Sequence, residues 1–297
     1  MFNLERIAVV GVGLIGGSTA LALKRAGVVG EVIGVGRNAA SLEEAKRLNV
    51  IDRACDLAEA AAIADCILIA TPVRQMPAIF ATVAPHLRAN ALVMDAGSTK
   101  QDVIAAARIG LGHKIAQFVP AHPIAGRETS GVATADATLY KGKKVVLTPV
   151  VENPPEAIAK AEAIWRACGA TVQSMSAEAH DAIFAAVSHL PHMLAFALVD
   201  EFAGRPNAKT LFAFAASGFR DFTRIAGSHP EMWRDIALNN RDALLTEIDL
   251  YIKKIAQLRE WVAQSDAAQI EAVMQRSHDA KANWLAGDLE YFRDESV

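Results

Sequence analysis

The sequence predicts an α/β chain: a doubly wound, mostly parallel sheet followed by an all-helical domain. Three observations predict it. Short apolar runs alternate with helical patterns through the first half, a glycine-rich turn separates the first run from the first helix, and the strand signal stops near Ser176. At roughly 150 residues per domain, 297 residues suggest two domains. The change of pattern places them at 1–175 and 176–297.

Ile7–Val10 reads as the first strand, and Ser18–Arg25 lies in the helix that follows it. Glu31–Val35 is the second strand, followed by a polar helix over Ser41–Leu48. Asp65–Ala70 and Ala91–Asp95 are nearly unbroken apolar runs, as expected of strands covered on both faces. Ile115–Val119, Lys144–Thr148 and Ala170–Ser174 read as further strands, with Pro155–Cys168 as a helix. Beyond Ser176 no strand pattern remains. Ala177–Ala203 is an apolar helical stretch interrupted by Pro191. Within Pro230–Val262, Leu244, Ile248, Tyr251, Ile255, Leu258 and Val262 recur at steps of four and three, and Leu245 and Ile252 widen the stripe. So wide a face predicts a dimer interface; a stripe filled wholly by the same chain is the open alternative. No internal repeat, low-complexity tract or flexible linker separates the two domains.

Composition excludes several functions. With 52% hydrophobic and 21% charged residues the chain is an ordinary globular one. A formal charge of -3 leaves no basic field for nucleic acid or anionic lipid. Cys55, Cys66 and Cys168 lie far apart with no CxxC pair, which fits a reducing cytoplasm. Ile7–Leu23 imitates a signal peptide, but its glycines and the absence of a cleavage site favour a strand-turn-helix unit. No uninterrupted run reaches the ~20 apolar residues of a membrane span. A soluble, cytoplasmic protein is expected.

The glycine turn is Gly11-Val12-Gly13-Leu14-Ile15-Gly16, between predicted strand and predicted helix, the context a Rossmann-type dinucleotide fingerprint requires. Gly11 permits the tight turn, Gly13 lets the backbone approach a diphosphate, and Gly16 lets helix and strand pack closely. The diphosphate would sit on the N–H groups and positive end of that helix. An acidic residue about 20 positions on would bind the adenosine ribose. Gly36-Arg37-Asn38 stands there instead, and a guanidinium pairs well with a 2′-phosphate. NADP is therefore favoured, with NAD open and an arginine that merely stacks on adenine as the plainer reading of Arg37. Thr71-Pro72 and Asp95-Ala96-Gly97-Ser98 end the next two strands and should line the nicotinamide half.

Two histidine clusters carry candidate chemistry. His122 follows the Ile115–Val119 strand at the same carboxyl edge, and histidine is the usual acceptor of a hydroxyl proton near neutral pH. His189 and His192 lie three apart in the first helix of the second domain. No third ligand is near, since His180-Asp181 lies two turns away on its own face, so no metal is expected. Without a cofactor nearby, any of these histidines reads as a packing residue. Gly218–Ala226 and Pro230–Asp235 bring arginines beside a glycine turn and aromatics, which suits carboxylate capture. Their plainer reading is surface ion pairs, Arg220–Asp221 and Arg234–Asp235, worth little.

Five segments, GVGLIGGS, DAGSTK, HPIAGRETSG, SHLPHMLAFAL and GFRDFTRIAGSHPEMWRDI, together resemble the prephenate dehydrogenase family, in family order and across nearly the whole chain. The resemblance implies oxidative decarboxylation of prephenate to 4-hydroxyphenylpyruvate in tyrosine biosynthesis, with arogenate a second substrate. It implies His122 as the catalytic histidine on the substrate 4-hydroxyl, with Ser98 supporting that hydroxyl and the nicotinamide. It implies His189, His192 and Arg224 as substrate holders, Arg224 on a carboxylate, with Glu128 and Trp233 bordering the pocket. HLPH and MWRD fit prephenate-accepting members, and Arg37 departs from the acidic residue of strictly NAD-dependent ones. No mutase bundle precedes Gly11 and no regulatory domain follows the helices, so a monofunctional homodimer is expected.

Two alternatives remain. A β-hydroxyacid dehydrogenase would need a lysine on the first helix of the second domain, and Ala177–Ala203 contains none. A non-catalytic dinucleotide sensor would have no reason to keep His122, His189, His192 and Arg224 together.

Overall fold

The computed structural model describes residues 3–127 and 129–292. Its first strand, β1 (Leu4–Val10), runs through the glycine turn into α1 (Leu14–Ala26). Then come β2 (Val29–Val35), α2 (Ala39–Arg47), β3 (Arg53–Ala54), α3 (Leu57–Ile63), β4 (Cys66–Ile69), α4 (Met76–Val83), β5 (Leu92–Asp95), α5 (Gln101–Leu111) and β6 (Phe118–Val119). The six strands pair in parallel in the order β3-β2-β1-β4-β5-β6. Strand order reverses between β1 and β4, so their carboxyl ends open a crevice. Cys66–Ile69 and Leu92–Asp95 are buried throughout, as unbroken apolar runs require, and the sheet divides two apolar layers.

The later strands depart from expectation. Residues 115–117 of the expected strand Ile115–Val119 belong to a 3₁₀ turn over Gly112–Gln117, leaving two residues of strand. Lys144–Thr148 and Ala170–Ser174 do form strands, β8 (Lys144–Leu147) and β9 (Thr171–Ser174), but in a separate three-stranded sheet with β7 (Ala121–Pro123). Pro120 is the physical cause. It has no N–H for the ladder, the chain turns there, and its carbonyl instead accepts from Thr148 N–H. The β7–β8 pair is antiparallel, with His122 opposite Val146. Helix α6 (Pro155–Ala167) connects β8 to β9.

After β9 the described residues are helical. Pro191 does not break the stretch Ala177–Ala203. Instead α7 (Ala177–Phe184) continues through a widened π turn at Ala185–His189 into α8 (Leu190–Ala203). A proline ring clashes with the carbonyl four residues back, and the widened turn accommodates it. This stretch is long and apolar enough to pass for a membrane span. It nevertheless carries His180, Asp181 and His189, all buried within the chain. Short helices α9 (Ala208–Ala213) and α10 (Ser217–Thr223) follow. The expected single helix over Pro230–Val262 is two: α11 (Pro230–Asn239) and α12 (Arg241–Ala263), separated at Asn240. Asn240 leaves helical geometry because its side chain is buried, donating to the Asp181 carbonyl and to His189.

The chain divides into two compact units, one running to Leu244 and one from Leu245 onward. The second consists of the rest of α12 and α13 (Ala267–Ala286), with Ser265 at φ 54° in the turn between them. Along α12 the stripe residues Leu245, Ile252, Ile255 and Val262 are exposed.

Candidate active site

The crevice between β1 and β4 is the mouth of a cavity of about 470 Å³, all within the first unit. One wall is the glycine turn, Gly13–Ile15. Gly11 has φ +94°, and a Cβ there would meet the Ala70 carbonyl oxygen at 2.7 Å. A Cβ on Gly13 would meet nothing within 4 Å, so backbone N–H groups are open to a ligand. Gly13 caps α1 without any side-chain bond, leaving the first turn of that helix as an anion cradle. From beneath, the buried Tyr140 hydroxyl donates to the Ile15 carbonyl at 2.7 Å and accepts from Thr19 Oγ1 at 3.0 Å.

The second wall comes from the ends of β4 and β5: Thr71, Pro72 and Val73, then Ala96, Gly97 and Ser98. The Thr71 hydroxyl is buried without a partner, an orphan suited to a ligand amide or hydroxyl. These features fit a bound dinucleotide. Arg37 lies exposed just past β2, away from this cavity and, among the described residues, without a hydrogen-bond or ion-pair partner.

His122 lines the third wall. Its Nδ1 lies 2.8 Å from His180 Nε2, and His180 Nδ1 lies 2.8 Å from Asp181 Oδ1. The Asp181 carboxylate accepts the backbone N–H of Lys100 and of Gln101, both at 2.9 Å, at the start of α5. Beneath this chain, fully buried Lys100 pairs with Asp95 and donates to the Ala121 carbonyl at 2.8 Å. Asp95 also accepts from Ala121 N–H at 3.0 Å and Gly97 N–H at 2.8 Å. One buried ion pair thus ties the end of β5 to the residue before His122. Burial, reinforced by His180, Lys100 and His189, holds His122 well below the ordinary imidazole range. Burial likewise lowers His180, partly offset by its bond to Asp181. Burial alone would raise Asp181; the His180 bond and two backbone N–H groups outweigh it and keep the carboxylate ionised.

His189, His192, Arg224 and Trp233 are not among the residues lining this cavity; they form a cluster of their own. The His192 ring stacks on Trp233 at 3.5 Å between centroids, and His189 meets the same indole edge-on at 6.1 Å. Asn240 donates to His189 Nδ1 at 3.0 Å, so the proton sits on His189 Nε2, which is buried without a partner. The Trp233 indole N–H is a second buried donor without one. Burial lowers His189 to about 4, and lowers His192 with help from nearby Arg224. Both histidines are neutral near pH 7: His189 offers its Nε2–H, whereas His192 donates its Nδ1–H to the Ser188 carbonyl at 2.8 Å and keeps Nε2 as an acceptor. Glu128 lies outside the described residues.

Sequence reasoning missed three parts of this site. His180-Asp181 is not on a face of its own; the turn of α7 presents it to His122 and α5. Asp235 is not a surface charge but is buried in the cavity wall, with Arg234 at 2.7 Å and Arg74 at 3.8 Å. Asn240 gave no signal: it lies within the single helix expected over Pro230–Val262.

A glycine cradle on one wall and a neutral, accepting histidine on another define a nicotinamide-dependent oxidoreductase. Comparison with known proteins narrows the class. Residues 19–174 match the family model described as "Prephenate dehydrogenase, nucleotide-binding domain", and residues 176–276 match "Prephenate dehydrogenase, dimerization domain". The chain is 35% identical to the cyclohexadienyl dehydrogenase of Zymomonas mobilis, covering 95% of this chain and 96% of that one. It is 38% identical to the prephenate dehydrogenase of Bacillus subtilis over 90% of this chain and 72% of that one. Among solved structures, the Aquifex aeolicus prephenate dehydrogenase in complex with hydroxyphenyl propionate and NAD+ superposes with a TM-score of 0.89 at 35% identity, covering 95% and 99% of the two chains. The Synechocystis arogenate dehydrogenase gives 0.79 at 30% identity, covering 94% and 100%. The chain belongs to the prephenate dehydrogenase family.

Proposed function

We propose that this protein oxidatively decarboxylates prephenate to 4-hydroxyphenylpyruvate, as a step of tyrosine biosynthesis in the cytoplasm, and accepts arogenate as a second substrate. The observation that carries this reading is His122, a neutral imidazole lining the same cavity as the dinucleotide cradle. A bound nicotinamide supplies the hydride acceptor. Gly13–Ile15 would hold its diphosphate, and Thr71, Pro72 and Ser98 its nicotinamide half.

His122 Nε2 takes the proton of the substrate 4-hydroxyl as hydride leaves the carbon that bears it. Loss of the ring carboxylate as carbon dioxide then aromatises the ring, which makes the step effectively irreversible. Ser98 orients the hydroxyl. The substrate is a dianion, so its carboxylates need donors and positive charge. Arg224 supplies the charge, the unpartnered N–H groups of His189 and Trp233 supply hydrogen bonds, and His192 borders the substrate with its ring stacked on Trp233. Arg37, exposed with no carboxylate beside it in sequence, supports acceptance of NADP alongside NAD.

The exposed apolar stripe on α12 supports a homodimer formed through the helical half, and we keep the functional division between cofactor and substrate halves near residue 175. The test is reduced-cofactor formation with prephenate and arogenate, each against NAD and NADP. Turnover of prephenate is expected with both cofactors. Cofactor binding without turnover in any of the four pairs would overturn the reading and favour a sensor.

A further inference from the structure

Two residues that touch neither cavity nor cofactor cradle decide which nitrogen of His122 can accept a proton. Asp181 is the fixed end of the chain. Its Oδ1 accepts from Lys100 N–H and its Oδ2 from Gln101 N–H, the unpaired donors at the positive end of α5. A carboxylate so occupied is an acceptor only, and the contact 2.8 Å from Oδ1 therefore requires His180 Nδ1 to carry a proton. A neutral His180 then has an unprotonated Nε2. The 2.8 Å contact on that side requires the proton to sit on His122 Nδ1. His122 is left with Nε2 as its acceptor nitrogen. His122 lines the cavity and His180 does not, so the Nδ1 edge is turned into the protein.

We propose that His180 and Asp181 are positioning residues that hold His122 in its Nδ1–H tautomer, with α5 setting the polarity of the whole chain. The proposal rests on the reading of His122 as the base for the substrate hydroxyl. The opposite tautomer would present an N–H to that hydroxyl and could not take its proton. The relay is held from every side. Phe184 packs edge-on against both rings, at 4.9 Å from His122 and 4.5 Å from His180. Asn240 grips the Asp181 carbonyl at 2.8 Å, and the Lys100–Asp95 pair fixes the strand residue before His122. The charged and titratable groups facing His122 are His180 and Asp181 on α7, Lys100 and Asp95 at the β5–α5 turn, and His189 on the π turn. Lys100 and Asp95 form a neutral pair, and His189 is itself held neutral by burial. Asp181 is thus the unbalanced charge along the relay, and it stabilises positive charge arriving on His122 during proton transfer.

The test uses the full chain. Two-bond nitrogen–proton correlation spectra of protein with labelled histidine report each ring's tautomer without turnover, and His122→Asn assigns the signal. Wild type is expected to show His122 protonated on Nδ1, with and without bound NAD. Asp181→Leu removes the acceptor opposite His180 Nδ1, so neither ring is held and the His122 proton is no longer confined to Nδ1. Its kcat on prephenate should fall about a hundredfold or more, as when a catalytic histidine is not held in the right tautomer. Its KM should change less than about threefold. His180→Gln keeps one donor and one acceptor at the end of its side chain, so it should retain the tautomer and much of kcat, whereas His180→Leu should lose both. Unfolding curves for all variants separate these effects from misfolding. His122 protonated on Nε2 in the wild type, an unmoved tautomer in Asp181→Leu, or equal losses in His180→Gln and His180→Leu would each overturn the relay. A wild type inert to prephenate would sink the functional reading alone, because the tautomer is read independently of turnover.

Discussion

His189 sits at the buried end of a hydrogen-bond chain from Asp181 through Asn240, and replacing it by glutamine isolates what its titration contributes to stability. Glutamine keeps an acceptor for the Asn240 amide but does not titrate. Burial lowers His189 from 6.5 to about 4 in the folded protein, while in the unfolded chain it keeps its ordinary value. Between these values the unfolded state binds more protons. The stability is therefore complete above about pH 6.5 and is lost as pH falls toward about 4. At about 1.4 kcal/mol per pH unit over that interval, the loss amounts to about 3 kcal/mol, a sizeable share of the 5–15 kcal/mol typical of a folded domain. Urea unfolding at a series of pH values, for wild type and His189→Gln, gives two curves of free energy against pH. The variant has a constant offset from the lost imidazole packing, but its acid slope should be shallower by about 3 kcal/mol across the window. Parallel curves would refute the argument, because they would mean that His189 is already hydrated or protonated in the native state.

Four other outcomes follow from the same geometry. Gly16→Ala would place a Cβ 2.3 Å from the Gly11 carbonyl and 2.7 Å from Val9 Cγ1, so it should cost about 1–3 kcal/mol of stability with no ligand present. Gly13→Ala meets nothing within 4 Å and should leave Tm unchanged while weakening dinucleotide binding, which thermal melts with and without NAD will separate. Because burial holds His122 low, the unprotonated base persists into acid, and the acid limb of kcat/KM should fall below pH 6.5; a limb at or above that value would contradict it. Arg224→Ala should chiefly raise KM for prephenate, and a fall in kcat at unchanged KM would remove Arg224 from carboxylate binding.

Local signals carried the cofactor half of this protein. The strand-turn-helix context of Gly11–Gly16 and the apolar runs ending at Thr71 and Ser98 depend on neighbours a few residues away, and the parallel sheet follows from them. Residue identity was enough to single out His122, because histidine at a strand's carboxyl edge is chemically suggestive wherever it occurs. Periodicity was less informative beyond β6. It marked Lys144–Leu147 and Thr171–Ser174 as strands but not the sheet they join, since pairing is chosen by edges distant in sequence and by what Pro120 cannot donate.

What only the tertiary structure decided is how the polar residues of the helical half are used. His180 and Asp181 are separated from His122 and Gln101 by 58 and 80 positions, and no local pattern links them. Asn240 reads in sequence as an interior position of one long helix, and Asp235 as half of a surface pair. Once buried, each must find a partner or remain unsatisfied, and that requirement couples α5, α7 and the Asn240 turn to one imidazole. Hydrophobic period and turn chemistry are short-range properties of a chain. Hydrogen-bond partners of buried polar groups are assigned by whichever surfaces the fold brings together, and here they set the proton on His122.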